Sequence, residues 1–131
     1  MTVTTKKRLE EVRHALLHLH KALLDSERVT YEKTVGTIAS PNHFLQLVTN
    51  DPWFAWLHPL SQLIVSMDEA LDSKEPVTDA SVESIVKQTS ALLTPSEAGE
   101  GFARHYFDAL QRDPDVVIAH ADLMRILTRS K

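Results

Sequence analysis

Four times in this chain a residue whose side-chain oxygen caps helices stands directly before a proline: Ser40-Pro41, Asp51-Pro52, Thr94-Pro95 and Asp113-Pro114. The oxygen can accept from the orphan amides of a first helical turn. Proline at the first helical position gives up only a donor that had no partner, and it arrives with φ already set. Thr94-Pro95-Ser96-Glu97 also fits a capping box, with Glu97 reaching back to the Thr94 amide. Thr78, before Asp79, is a fifth start. Each signal opens a segment whose apolar residues recur every three to four positions, and no stretch alternates with period two for long enough to make a strand.

The first segment runs from about Thr4 to Val35, with Gly36 as its stop. Leu9, Val12, Leu16, Leu19 and Leu23 form one stripe, and Leu24, Tyr31 and Val35 continue it sideways. Such a helix would be about 48 Å long at 1.5 Å per residue; a bend or break at Asp25-Ser26 is the alternative to a continuous rod. The following segments are Pro41 to Thr49, Pro52 to Leu71, Asp79 to Leu93, Pro95 to Arg112 and Pro114 to Thr128. Pro59 lies inside the third and predicts a kink or an irregular first part. The expected fold class is all-α: an up-and-down helical bundle of four main helices plus one or two short ones. At 131 residues it forms one domain, residues 1–131.

Charge and composition remove several functions. Eighteen acids against 14 bases leave a net charge of −4, without the basic footprint of a nucleic-acid binder. The basic run Lys6-Lys7-Arg8 is followed at once by Glu10 and Glu11 and reads as a solvated first turn. No apolar run approaches the ~20 residues a membrane span needs. With no cysteine, thiolate chemistry and disulfides are absent, and a cytoplasmic location is the default expectation. Three glycines leave little room for a Gly-rich phosphate loop. Seven histidines are many: full protonation would carry the net charge from −4 to +3.

Bundles build ligand sites from inward side chains, so the polar residues on the stripes matter most. His120 sits at the centre of the Val116, Leu123, Leu127 stripe. His20 lies on the edge of the first stripe, continued by Glu27 and Tyr31. His105 flanks its stripe and Tyr106 faces inward. One reading is a shared ligand pocket of His20, Glu27, Tyr31, His105, Tyr106 and His120, with His20, Glu27 and His120 able to hold zinc or iron. The other is that each is hydrogen-bonded to a neighbouring helix and holds register. His14 and His18, spaced i, i+4, fall on the solvent side. No His-Glu-x-x-His, Gly-x-Ser-x-Gly or Walker loop occurs, and no nucleophile–base pair is legible. Trp53 and Trp56 share a face with Leu57 and Leu60 and belong to the core, each indole N–H seeking an acceptor. Phe54, His58 and Val65 point away from that face as a second strip, to be covered by the Pro41 helix or by another subunit.

The block Asp51-Pro52-Trp53-Phe54-Ala55-Trp56-Leu57 with Pro59-Leu60-Ser61, together with Leu19-His20-Lys21-Ala22-Leu23-Leu24 and Gly101-Phe102 to Tyr106, resembles a family of small bacterial helical proteins of unknown function. The resemblance spans nearly the whole chain and implies a bacterial, cytoplasmic protein. A looser likeness is to the hemerythrin-like bundles, which bind iron through histidines and carboxylates, although the chain has no His-x-x-x-Glu pair. Two functions are therefore expected. The first is a non-enzymatic association module, a homodimer through Phe54, His58 and Val65. The alternative is a bundle that binds a metal or small ligand in a His/Glu/Tyr-lined pocket.

Overall fold

A computed structural model describes residues 3–129, with side chains from Thr5 onward; the expected domain of residues 1–131 reaches past these at both ends. Six α-helices and one 3-10 helix follow one another: α1 Val3–Thr34, α2 Pro41–Asn50, the 3-10 helix Pro52–Leu57, α3 His58–Asp72, α4 Asp79–Leu92, α5 Phe102–Arg112 and α6 Pro114–Thr128. There is no strand among the described residues. The first helix is continuous through Asp25-Ser26. Ser26 is buried there rather than breaking the rod.

Cross-links between helices give their directions. Arg13 pairs with Asp68 and His20 with Ser61, so α3 runs antiparallel to α1. Thr5 donates to Asp79 and Arg8 to Glu83, so α4 runs parallel to α1. Arg129 near the end of α6 pairs with Glu11, while Asp113 and Asp115 at its start face Lys21 and Asp25. Helix α6 is therefore antiparallel to α1 as well. Helices α1, α3, α4 and α6 each pack on the next and α6 packs back on α1, closing an up-and-down bundle. Its core is the expected stripe of Leu9, Val12, Leu16, Leu19 and Leu23 against Leu60, Met67, Val82, Val116 and Leu123.

Ser40, Asp51, Thr78 and Asp113 all cap as their sequence contexts predict, each side chain accepting a first-turn amide. Thr94 does not. Its hydroxyl donates back to the Ser90 carbonyl at 3.0 Å, so it closes α4 instead of opening α5. The expected Pro95 helix starts seven residues later, at Phe102. Gly101 is the N-cap, at φ +60°, a left-handed conformation that glycine adopts without penalty. The intervening turn is tied down by Ser96 donating to the Ala103 carbonyl.

Pro59 marks an irregular first part, as expected: the chain from Pro52 to Leu57 winds as a 3-10 helix before α3 begins. That winding decides where the aromatic block points. At three residues per turn, positions i and i+3 eclipse. Trp53 and Trp56 therefore lie on one side, where both indoles reach Glu27, and Phe54 and Leu57 are buried on another. Phe54 is 0% exposed, gripped by Tyr31 and Phe44 at centroid distances of 5.7 Å each. With Tyr31 and Ile38 it forms a second small core under α2. The expected interface strip of Phe54, His58 and Val65 is thus corrected. The Pro41 helix covers Phe54, and only His58 and Val65 stay on the surface.

Candidate functional site

The six candidate pocket residues do not meet in one cavity. They fall into three places. His20, between α1 and α3, lies 3.1 Å from the Ser61 hydroxyl through Nε2. Its imidazole is held below its usual pKa by burial. Tyr106 and His120, between α5 and α6, share a hydrogen bond of 2.5 Å. Burial lowers the His120 imidazole and raises the Tyr106 phenol. Both shifts favour the neutral phenol and the neutral imidazole, so a single proton lies between the phenol oxygen and Nδ1. Glu27, His105 and Tyr31 belong to the third place, around the 3-10 helix.

No three His, Cys, Asp or Glu side chains come together as a metal-holding group among the described residues. His20, Glu27 and His120, the expected metal trio, each have a separate partner instead. The physical reason is length. One stripe of a helix rising 1.5 Å per residue carries His20 and Glu27 about 10 Å apart along its axis, and different neighbours reach each.

Glu27 is the polar centre of the third place. Its side chain is 8% exposed. Oε1 accepts from the Trp56 indole at 2.9 Å and Oε2 from the Trp53 indole at 3.1 Å. The eclipsed 3-10 register is what lets two indoles three residues apart reach a single carboxylate. Arg112, in the last turn of α5, stands 3.6 Å from Oε1 through Nη2 and donates through Nε to the Ser26 hydroxyl at 3.2 Å. A buried carboxylate is costly unless its charge is met by donors and a counter-ion, and here it has both.

Above this carboxylate opens a cleft of roughly 300 Å³. One wall is Pro52, Trp53 and Trp56 of the 3-10 helix. The other is His105, Asp108 and Arg112, which recur at three and seven residues along one face of α5. Glu27 and Thr30 of α1 form the floor. His105 stacks on Trp56, rings 5.2 Å apart and 18° from parallel. Trp56 also packs on Phe102 at 5.2 Å, and Phe102 on Tyr106 at 5.6 Å, so an aromatic chain leads from the cleft to the Tyr106–His120 pair. Tyr31 stands behind the cleft, edge-on to Trp53 at 5.6 Å.

Two larger surface hollows lack this construction. One, of roughly 590 Å³, is lined by Lys7, Glu10, Glu11, His14, Arg125, Ile126 and Arg129. The other, of roughly 430 Å³, is lined by His58, Ser61, Gln62, Val65, Ser66 and Glu69. Neither has an aromatic wall or a buried charge.

Sequence reasoning selected Glu27 and His105 and noted that the indoles needed an acceptor, but it did not connect them. It missed Arg112, Asp108 and Thr30. The available signal was that an acid on the edge of an apolar stripe requires a cation, and Arg112 closes α5, one of the helices that pack on the Trp53 block. Compared with known proteins, the chain matches no family model, no curated sequence and no solved structure, so its functional reading rests on this geometry.

Proposed function

We propose that the protein is a non-catalytic bundle that binds a small planar ligand in the Glu27 cleft. The observation that carries this reading is the pair of half-buried indoles held by one buried carboxylate. Their N–H groups are spent on Glu27, and both indoles line the cleft beside it. Aromatic walls with few, fixed polar groups are the usual make-up of small-ligand pockets, and a volume near 300 Å³ is at the small end of their range. A ligand of one or two rings fits it. Placement in a bacterial cytoplasm rests on the resemblance and the cysteine-free composition alone.

A homodimer seam is the weaker reading. Its aromatic anchor, Phe54, lies in the monomer's own core, leaving Val65, 52% exposed, beside His58. A single exposed aliphatic side chain is ordinary protein surface.

The two tryptophans are the only ones in the chain and both face this site, so their indole N–H signals report on it directly. Titration with single-ring probes (benzoate, benzamide and benzamidine) followed by ¹H–¹⁵N correlation should shift both signals saturably for at least one probe. Two unmoved indole signals at millimolar concentrations of all three would remove the reading.

A further inference from the structure

The polar groups of the cleft are not equally available, and this bears on the charge of the ligand, given that the cleft binds one. Glu27 has both oxygens occupied by indole N–H groups and stands beside Arg112. Asp108, on the opposite wall, is paired with Arg104 at 3.3 Å. Both acids that face the cleft are therefore already answered. Arg112 is not. Nε is tied to Ser26 and Nη2 leans on Glu27, which uses one edge of the guanidinium; Nη1 has no hydrogen-bond partner among the described residues. The side chain is 35% exposed. It is oriented by two protein contacts, with its second edge, Nη1 and Nη2, unspent.

A guanidinium fork held in this way matches a carboxylate bidentately, with charge-assisted hydrogen bonds. Pro52, Trp53 and Trp56 line the same cleft and supply its apolar side. We propose that the cleft selects an aromatic carboxylate, its ring against Trp53 and Trp56 and its carboxylate on the open edge of Arg112. His105, stacked on Trp56, borders the same opening. A cationic ligand would meet the Arg112 charge, find Glu27 held by two indoles and an arginine, and have to share Asp108 with Arg104.

The test compares benzoate with benzamide, its neutral counterpart of the same shape, and with benzamidine, its cationic one. Affinities come from the Trp53 and Trp56 indole signals. Benzoate is expected to bind at least tenfold more tightly than either. Arg112→Gln should cut benzoate affinity at least tenfold and abolish the preference for benzoate over benzamide, and a benzoate preference that survives the substitution overturns the assignment. Benzamide or benzamidine binding as tightly as benzoate overturns the assignment even if the cleft is a ligand site. Because that ordering is measured on the unaltered protein, a poorly folding Arg112 variant does not affect it. No response to any of the three is the separate failure, that of the ligand-binding reading itself.

Discussion

The Tyr106 hydroxyl and Nδ1 of His120 lie 2.5 Å apart, and the two ends of this bond differ in their access to water. Tyr106 is 0% exposed, whereas His120 is only partly buried. Losing the histidine strands a buried hydroxyl. Losing the hydroxyl leaves an imidazole that water can reach. His120→Leu should therefore cost about 2–3 kcal/mol and Tyr106→Phe about 1 kcal/mol. The double variant should recover part of the His120→Leu loss, because residues in one hydrogen bond are not additive. Urea unfolding of the three variants measures this, and a His120→Leu protein as stable as its parent would show that the pair only fills space.

Glu27→Gln keeps the shape of the acceptor and removes its charge. One indole then faces an amide N–H₂ instead of an oxygen, and Arg112 loses its counter-ion. Hydrogen bonds to a charged group carry more than neutral ones, so a loss of about 2–3 kcal/mol in urea unfolding is expected. Both indole N–H resonances should move. A variant with the parent's stability and unmoved indoles would mean that the carboxylate is not what holds the tryptophans.

Phe54→Ala tests whether this ring belongs to the monomer or to a seam. A fully buried phenylalanine truncated to alanine costs about 3–5 kcal/mol through lost burial and the cavity left behind. Sedimentation at matched concentrations should show the same mass for parent and variant. A change of mass with little change in unfolding midpoint would restore the interface reading.

Gly101→Ala isolates a backbone effect. A Cβ at this position meets nothing within 4 Å, so any cost comes from φ +60° alone. A loss of about 1–2 kcal/mol is expected, read as a lower melting temperature. No loss would mean that the start of α5 can move to another N-cap.

Stability should fall as the solution is acidified through pH 6.5. His20 and His120 are both held below the ordinary histidine value by burial. The unfolded chain then binds more protons than the folded one in the window below pH 6.5, so stability rises with pH across that window and is fully present above it. Melting temperatures measured at intervals from pH 7.5 to 5 should decline, and the slope should flatten in His20→Asn, His120→Asn protein. An unchanged slope in that variant would assign the acid sensitivity to other groups.

Local rules were enough to locate most of the architecture. A capping oxygen before proline and an apolar period of 3.6 are properties of a few adjacent residues, so Ser40, Asp51, Thr78 and Asp113 could be read one turn at a time. The leucine stripe of α1 named its own core face. Thr94 shows where such reading stops: its hydroxyl had two carbonyl or amide partners within reach, and the choice went to Ser90 because the segment to Gly101 folds as a turn. The 3-10 winding of Pro52–Leu57 was beyond local rules too, since a 100° wheel and a 120° wheel assign Phe54 to different sides. Packing under α2 selected the second. What tertiary structure alone decided was adjacency. Helix α5 had to be laid beside the 3-10 helix before Arg112, His105, both tryptophans and Glu27 shared a cleft. Residues 85 positions apart in sequence, Glu27 and Arg112, carry no spacing signal for each other. Their pairing follows from the cost of leaving a buried carboxylate without a counter-charge, which acts only once the helices have closed around it.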